Sequence, residues 1–96
     1  MSDYNLKLID STYSPEEAKE VLSSLISDKI KFLNLQIFSK SERFGEDTSH
    51  LENRIKYLDS EKEKLFKLIE QAKVDGRDLS IHCDIQVESI HMADNV

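Results

Sequence analysis

Glycine, proline, cysteine and tryptophan are scarce in this 96-residue chain, which contains two, one, one and none of them respectively. Two glycines are too few for the glycine-rich loop that cradles a nucleotide phosphate. The single cysteine, Cys83, cannot form an internal disulfide, which fits a reducing compartment. No apolar run approaches the roughly 20 residues of a membrane helix, and the start of the chain does not resemble a signal peptide. We therefore expect a cytoplasmic protein without a membrane partner.

Basic residues are outnumbered and do not cluster. The chain has 13 Lys and Arg against 19 Asp and Glu, a net charge of −6, and no Lys or Arg follows Arg77. Within residues 15–44 and within residues 49–75 the two signs balance, so the acidic excess lies at the two ends and at the central turn. Nucleic-acid backbones are bound by clustered cations. We expect no nucleic-acid partner, and we expect any protein partner to be basic rather than acidic.

The first long periodic segment has a well-marked start. Ser14 can cap free amides, Pro15 suits the first helical position, and Glu17 completes a capping box with Ser14. This pattern predicts a helix over residues 15–44. Its apolar residues form two stripes, which are Leu22, Ile26, Ile30, Leu33, Ile37 and Phe44 in the first and Val21, Leu25, Phe32, Leu35 and Phe38 in the second. One partner helix cannot cover both stripes.

A short turn, predicted over residues 45–48, leads to a second helix over 49–75. Gly45 is placed to end the first helix, and Ser49 with Glu52 predicts a capping box for the second, although either residue just before Ser49 could replace it as the cap. Such a turn returns the chain antiparallel to itself. The two helices therefore form a hairpin.

The second helix has the spacing of a coiled-coil seam. Its apolar residues alternate at intervals of four and three, and the seam comprises Leu51, Ile55, Leu58, Lys62, Leu65, Ile69 and Ala72. Lys62 interrupts the seam and either fixes its register or reaches solvent along its aliphatic stem. Gly76 is placed to end this helix as Gly45 ends the first.

Alternating polar and apolar residues predict a strand at each end of the chain, over residues 4–9 and 79–90. The predicted fold is α+β with the order β-α-α-β, a single domain over residues 1–96 with a tail at 91–96. The strands differ in predicted length, about six residues against about twelve. An unpaired apolar edge would result, so we expect the last strand to pair with its own copy and complete the sheet by dimerisation.

The same reasoning predicts an oligomer interface formed by the second stripe, by aromatic residues outside the seam and by the apolar face of the last strand. These residues are Val21, Leu25, Phe32, Leu35, Phe38, Tyr57, Phe66, Ile81, Cys83, Ile85 and Val87. At helical spacing, aromatic residues are more often core or interface than part of a ligand site.

Residues with potential chemistry are few. His82 and Asp84 share the polar face of the last strand, but they could approach one metal ion only with a third ligand from elsewhere. Cys83 lies on the opposite, apolar face, where a thiol behaves as a small hydrophobe. We find no pair of nucleophile and base in the pattern. The sequence therefore predicts no catalytic residue, no metal and no cofactor.

These observations predict a non-enzymatic, homo-oligomeric protein for protein–protein interaction or assembly, a homodimer or dimer of dimers that presents its helical hairpin to another protein. The alternative is a small-ligand-binding or sequestering protein with a pocket at the oligomer interface. Such a pocket would be lined by Phe32, Phe38, Tyr57 or Phe66, with Lys31 or Lys62 supplying charge.

Overall fold

The protein folds as two long helices with one strand before them and one after them. The computed structural model describes residues 3–44 and 47–90. The elements are β1 (Tyr4–Tyr13), α1 (Pro15–Phe44), α2 (Ser49–Asp75) and β2 (Leu79–Val87). This order confirms the predicted β-α-α-β fold and both helix ranges. Gly45, predicted to cap α1, and the tail predicted over residues 91–96 lie outside the described residues.

Helix α1 begins with the predicted capping box. The Glu17 backbone N–H donates to the Ser14 hydroxyl at 3.2 Å, and the Ser14 N–H donates to a Glu17 carboxylate oxygen at 3.0 Å. Two amides at the helix start are thereby satisfied by side chains, as the sequence pattern requires. The boundary of α1 is fixed locally, by four consecutive residues.

Helix α2 begins at the predicted residue, but its cap differs from the first of the predicted alternatives. Ser49 is already helical, Thr48 is the residue before it, and the Asp47 carboxylate accepts the Ser49 N–H at 3.0 Å and also the Ser49 hydroxyl. These two bonds lower the pKa of Asp47, because they stabilise its ionised form. The Thr48 hydroxyl donates to Glu52 at 3.2 Å. The capping box of Ser49 with Glu52 is therefore not formed, because Ser49 is itself helical; Thr48, one of the two alternatives, occupies the cap position.

Helix α2 ends at Gly76 in the left-handed conformation, with φ +68°. The Gly76 N–H donates to the Lys73 carbonyl at 3.2 Å and the Arg77 N–H to the Ala72 carbonyl at 2.9 Å. This pair of bonds is the Schellman arrangement, which satisfies the last carbonyls of a helix. It confirms the predicted role of Gly76 and turns the chain toward β2.

The two helices pack antiparallel along the predicted seam. The buried apolar residues that the structure describes are Ile9, Ala18, Leu33, Leu51, Ile69 and Ala72. Other seam residues, among them Ile26, Ile30, Leu58 and Leu65, are half-buried. A single pair of helices can bury only the narrow strip where they touch. The core is therefore one line of side chains between α1 and α2, closed at one end by the sheet.

The two strands pair with each other along their whole length, antiparallel, from Tyr4 opposite Val87 to Tyr13 opposite Leu79. The first strand is 10 residues long and the last is 9. Both predicted lengths were wrong. Strand β1 continues through the polar residues after Ile9, because these residues pair with the start of β2, Leu79–Ile81. Strand β2 ends earlier than predicted, because β1 has no further residue to pair with it. The expected mismatch does not exist, so it no longer supports pairing of β2 with its own copy. We call this two-stranded sheet the ribbon.

The molecule is long and thin. Its extents are 56 × 31 × 14 Å and its radius of gyration is 17.3 Å, against about 13 Å for a compact domain of this size. Because the ribbon contacts chiefly the first part of α1, the outer half of the hairpin has no covering layer of its own.

The conformation of Gly76 predicts the effect of replacing it. A Cβ added there would meet no atom within 4 Å, so the cost of Gly76→Ala comes from the backbone conformation alone. We expect a loss of about 1 kcal/mol of unfolding free energy, measured by urea denaturation. Gly76→Asn is the matched control and should lose less, because Asn tolerates the left-handed region better. Equal losses for the two variants would contradict this explanation.

Candidate protein-interaction surface

The second stripe of α1 lies outside the buried contact with α2, and the exposure of its side chains rises along the helix. Val21 is half-buried. The exposed fractions of Leu25, Phe32, Leu35 and Phe38 are 37%, 52%, 60% and 66%. The predicted stripe therefore exists as a surface, covered near the ribbon and uncovered toward the tip. We call its five residues the outer stripe.

The ribbon and α1 enclose a groove where the outer stripe begins. Its lining residues are Leu8, Ile9, Glu20, Val21, Ser24 and Leu25, and its volume is about 470 Å³. We call it the base groove. Its apolar walls are supplied by both the helix and the strand, and it is open to solvent on one side.

A β-bulge in β1 shapes the base groove. The register shifts between Lys7 and Ile9, so Ile9, rather than Leu8, lies opposite Cys83. Ile9 is buried, whereas Leu8 is exposed in the groove. The sequence alternation placed Leu8 in line with Tyr4 and Leu6, and it could not reveal the extra residue. A bulge of this kind redirects side chains locally, and here both Leu8 and Ile9 face α1.

The apolar face of the ribbon is covered at one end only. Ile81 and Cys83 are half-buried near the hairpin, whereas Ile85 and Val87 are exposed together with the residues opposite them, Leu6 and Tyr4. The four predicted interface residues of β2 thus lie on one face, as the alternation required. Coverage by the hairpin decreases toward the free end of the ribbon.

The two aromatic residues of α2 face different directions. Tyr57 is exposed and lies under the Arg54 guanidinium, which is 5.0 Å from its ring centre. Phe66 is half-buried, and the Lys19 ammonium lies 5.4 Å from its ring centre. Nine residues turn an α-helix through two and a half turns, so these residues occupy opposite sides of α2. The structure does not bring them together with the outer stripe as one surface.

A second groove runs between the helices on another side of the hairpin. It has a volume of about 550 Å³ and is lined by Ser27, Ile30, Lys31, Asn34, Leu35, Phe38, Asp59 and Lys62. Lys62 is half-buried and reaches this groove from its seam position. The groove therefore brings both predicted lysines to one side of Phe38. We call it the lysine groove.

The polar face of the ribbon contains a connection that the sequence reasoning missed. His82 lies directly opposite Asp10; its Nδ1 is 2.7 Å from an Asp10 carboxylate oxygen, and its Nε2 is 3.0 Å from the Ser80 hydroxyl. The order hydroxyl, imidazole, carboxylate is that of a hydrolase triad. The expectation that no nucleophile and base meet was therefore wrong. Only knowledge of the strand register could have found this contact.

The environment of these three residues favours a structural link between the strands. The His82 and Asp10 side chains are both more than half exposed. Acyl transfer depends on preorganised donors in a water-excluded site, where electrostatic stabilisation is strong. An exposed network on a flat strand face supplies neither, whereas a hydrogen-bonded cross-strand pair links the two strands of a ribbon.

The described residues contain neither a cluster of metal ligands nor a helix that could span a membrane. Within residues 3–44 and 47–90, no group of three or more His, Cys, Asp and Glu residues could hold a metal ion. Over the same part of the chain, neither helix combines the length and apolar character that crossing a membrane requires. No protein-family model, curated protein or solved structure matches this chain.

The free end of the ribbon is closed by Asp3, which gives a pH prediction. Its carboxylate accepts the Ser89 hydroxyl and the Ser89 N–H, the latter at 2.7 Å, and these bonds lower its pKa below the usual 3.8. Because the pKa of Asp3 is lower in the folded than in the unfolded state, its ionised carboxylate stabilises the fold at pH values above the unfolded pKa. This stabilisation is lost as the pH falls through the folded pKa. We expect the NMR shift of the Ser89 amide to titrate below about pH 4.

The variant Asp3→Asn should abolish that titration, because the amide side chain does not ionise. Asp84→Asn, on the polar face of the same ribbon, is the control and should leave the curve unchanged. If the Ser89 amide still titrates in Asp3→Asn, another carboxyl group is responsible and the assignment to Asp3 is wrong.

Proposed function

We propose that this protein is a non-enzymatic, homo-oligomeric interaction or assembly protein, which presents the surface of its helical hairpin to another protein. The observation that supports this best is the outer stripe, in which the large side chains Phe32, Leu35 and Phe38 are all more than half exposed. Single exposed apolar residues are ordinary, but a contiguous row of them marks an interaction site.

The total surface gives independent support. The chain exposes 7659 Å², whereas a compact monomer of 11.1 kDa exposes about 5,700 Å². The excess is roughly 2,000 Å², and each subunit of an obligate homodimer loses roughly 1,000 Å² or more. A contact with another chain of the same kind can therefore remove this excess without any change of fold.

Native mass spectrometry tests the proposal directly. We expect masses at even multiples of 11.1 kDa for the wild type. In Leu35→Glu the oligomer should dissociate, because a charge would be buried in the contact. Leu68→Glu is the matched control, since Leu68 is similarly exposed on α2. A monomeric wild type, or equal behaviour of the two variants, would contradict the proposal that the outer stripe is the oligomer contact.

The lysine groove favours a second candidate function, the binding of a small anionic ligand with an apolar body. Its walls combine two ammonium groups with Ile30, Leu35 and Phe38. Ligand sites pair an apolar lining with a few convergent polar groups in this way. Asp59 lies in the same lining and reduces the net positive charge, so the preference for an anion is moderate.

This second candidate predicts a stoichiometric adduct in the native mass spectrum of protein purified without added ligand. Lys31→Gln and Lys62→Gln together should remove the adduct, whereas Lys64→Gln, an exposed lysine elsewhere on α2, should retain it. An oligomer that never retains an adduct would count against ligand binding and leave the interaction proposal in place.

A further inference from the structure

Strand β2 has an outer edge that pairs with no other described strand. The sheet has the order β1-β2, and over residues 3–44 and 47–90 the only strand partner of β2 is β1. In an antiparallel strand, the backbone N–H and C=O groups of successive residues point alternately to the two sides. One side of β2 therefore binds β1, and the other presents a row of hydrogen-bonding groups on which a further strand can form.

The outer edge of β2 lacks the features by which proteins protect exposed strands. Such edges are usually interrupted by proline, lysine or a β-bulge, or covered by a helix. Strand β2 contains no proline, glycine, lysine or arginine, and none of its nine residues is buried. The extra residue at the register shift belongs to β1, and α2 does not pack along β2. The edge of β2 is therefore regular and open over about 30 Å.

The outer edge of β1 is different. Lys7 lies in β1, and the bulge that follows it makes Ile9, rather than Leu8, the partner of Cys83. A bulge interrupts the regular spacing of the backbone groups and increases the local twist of the strand, so a third strand cannot pair with β1 along its whole length. The ribbon is therefore asymmetric, with a protected edge on β1 and an open edge on β2.

The charge of the ribbon indicates which kind of strand suits the open edge. Residues 3–13 and 79–90 include four acidic residues and one lysine, which are Asp3, Asp10, Asp84, Glu88 and Lys7. A strand on the open edge would place a side chain directly beside Asp84, where an opposite charge is favourable and a like charge is not. A second copy would bring two acidic ribbons together, so a basic segment of another protein fits this edge better.

From the open edge and its charge we infer that β2 binds an extended segment of another protein, which joins the ribbon as a third strand. The segment alternates basic residues on its polar face with apolar residues on the other face. Main-chain hydrogen bonds supply the affinity of such strand addition, and alternate side chains supply its selectivity. This surface is separate from the outer stripe, and the inference does not depend on the proposed oligomer.

The marginal size of the ribbon favours this mode of binding. A two-stranded sheet is marginally stable in water, whereas a sheet of three strands with an apolar face can be stable. At the free end of the ribbon, Ile85 and Val87 are exposed on its apolar face, as are Leu6 and Tyr4 opposite them. The apolar side chains of an added strand would lie beside Ile85 and Val87, where the hairpin covers the ribbon least.

NMR spectroscopy with a designed peptide tests this inference. The probe is an octapeptide with blocked ends that alternates lysine and valine, and the protein is the isotope-labelled full chain. We expect the peptide to shift the amide signals of β2 and, at saturation, to slow the hydrogen exchange of its outward-facing amides at least about tenfold. A peptide that alternates glutamate and valine should bind at least about tenfold more weakly, because its charges have the same sign as Asp84.

A peptide without backbone donors separates strand pairing from charge attraction. The lysine–valine peptide with a methyl group on every backbone nitrogen keeps its side chains and charge but cannot donate N–H groups to β2. This peptide should not bind, because strand addition depends on main-chain hydrogen bonds. Equal binding of the methylated and unmethylated peptides would overturn strand addition.

Gln86→Lys and Asn5→Lys are matched variants, because the two residues lie opposite each other on the polar face of the ribbon. Each adds one positive charge, the first at the open edge of β2 and the second one strand further away. We expect Gln86→Lys to weaken binding of the lysine–valine peptide at least about fivefold, and Asn5→Lys to weaken it less than about twofold. Equal weakening would indicate general attraction to the acidic ribbon and would overturn the assignment to β2.

The same spectra distinguish the other possible occupants. Shifts confined to α1 would place the peptide on the outer stripe, and shifts confined to β1 would place it on the protected edge; either result overturns the inference. Slow exchange of the outward-facing β2 amides without peptide, lost on dilution, would show that a second copy fills the edge instead. A monomeric wild type that binds the peptide would contradict the proposed oligomer and support strand addition, so the two failures are distinguishable.

Discussion

The structure depends on the contact between two helices of nearly equal length that bury a single line of side chains. Ile69 and Leu33 are almost wholly buried within it. Because a helix pair has only one inner strip, everything apolar outside that strip must be covered by another layer. The ribbon is the only other regular structure in the described part of the chain, and it covers α1 near its start. The thickness of 14 Å follows from this limit.

The ribbon in turn depends on the hairpin. An isolated two-stranded sheet is marginal in water, and this one is held by its two short links to the helix ends, by Ile9 and by cross-strand side chains. Asp10 with His82 and Asp3 with Ser89 are links of that kind. Strand β1 continues beyond Ile9 because its next residues pair with β2, and two of them, Asp10 and Thr12, lie opposite the polar residues His82 and Ser80.

The predictable part of this fold was local. Both helix ranges followed from caps within a few residues, the Ser14–Glu17 box and the Gly76 turn, and from a period of 3.6 that extends over many residues. The two-stripe pattern indicated more apolar surface on α1 than one helix can cover, and Leu25, Phe32, Leu35 and Phe38 of the second stripe are indeed exposed. What the sequence could not supply was register across the ribbon. The bulge at Leu8, the length of β1 and the approach of Ser80, His82 and Asp10 all depend on pairing between residues about 70 positions apart, for which the local pattern contains no information.

Because β1 and β2 pair along their whole length, the expected site of self-association is the helix surface rather than the sheet. With β1 and β2 fully paired, the need for a partner arises at Phe32, Leu35 and Phe38 instead. A second subunit on those side chains, as we propose, would leave Tyr57 and Leu68 on α2 uncovered. Their spacing of eleven residues places both on one side of that helix. In the oligomer that we propose, the hairpin would separate two surfaces, one on α1 for self-association and one on α2 that would remain accessible. An assembly protein needs both, because the surface that joins its copies cannot also hold its partner.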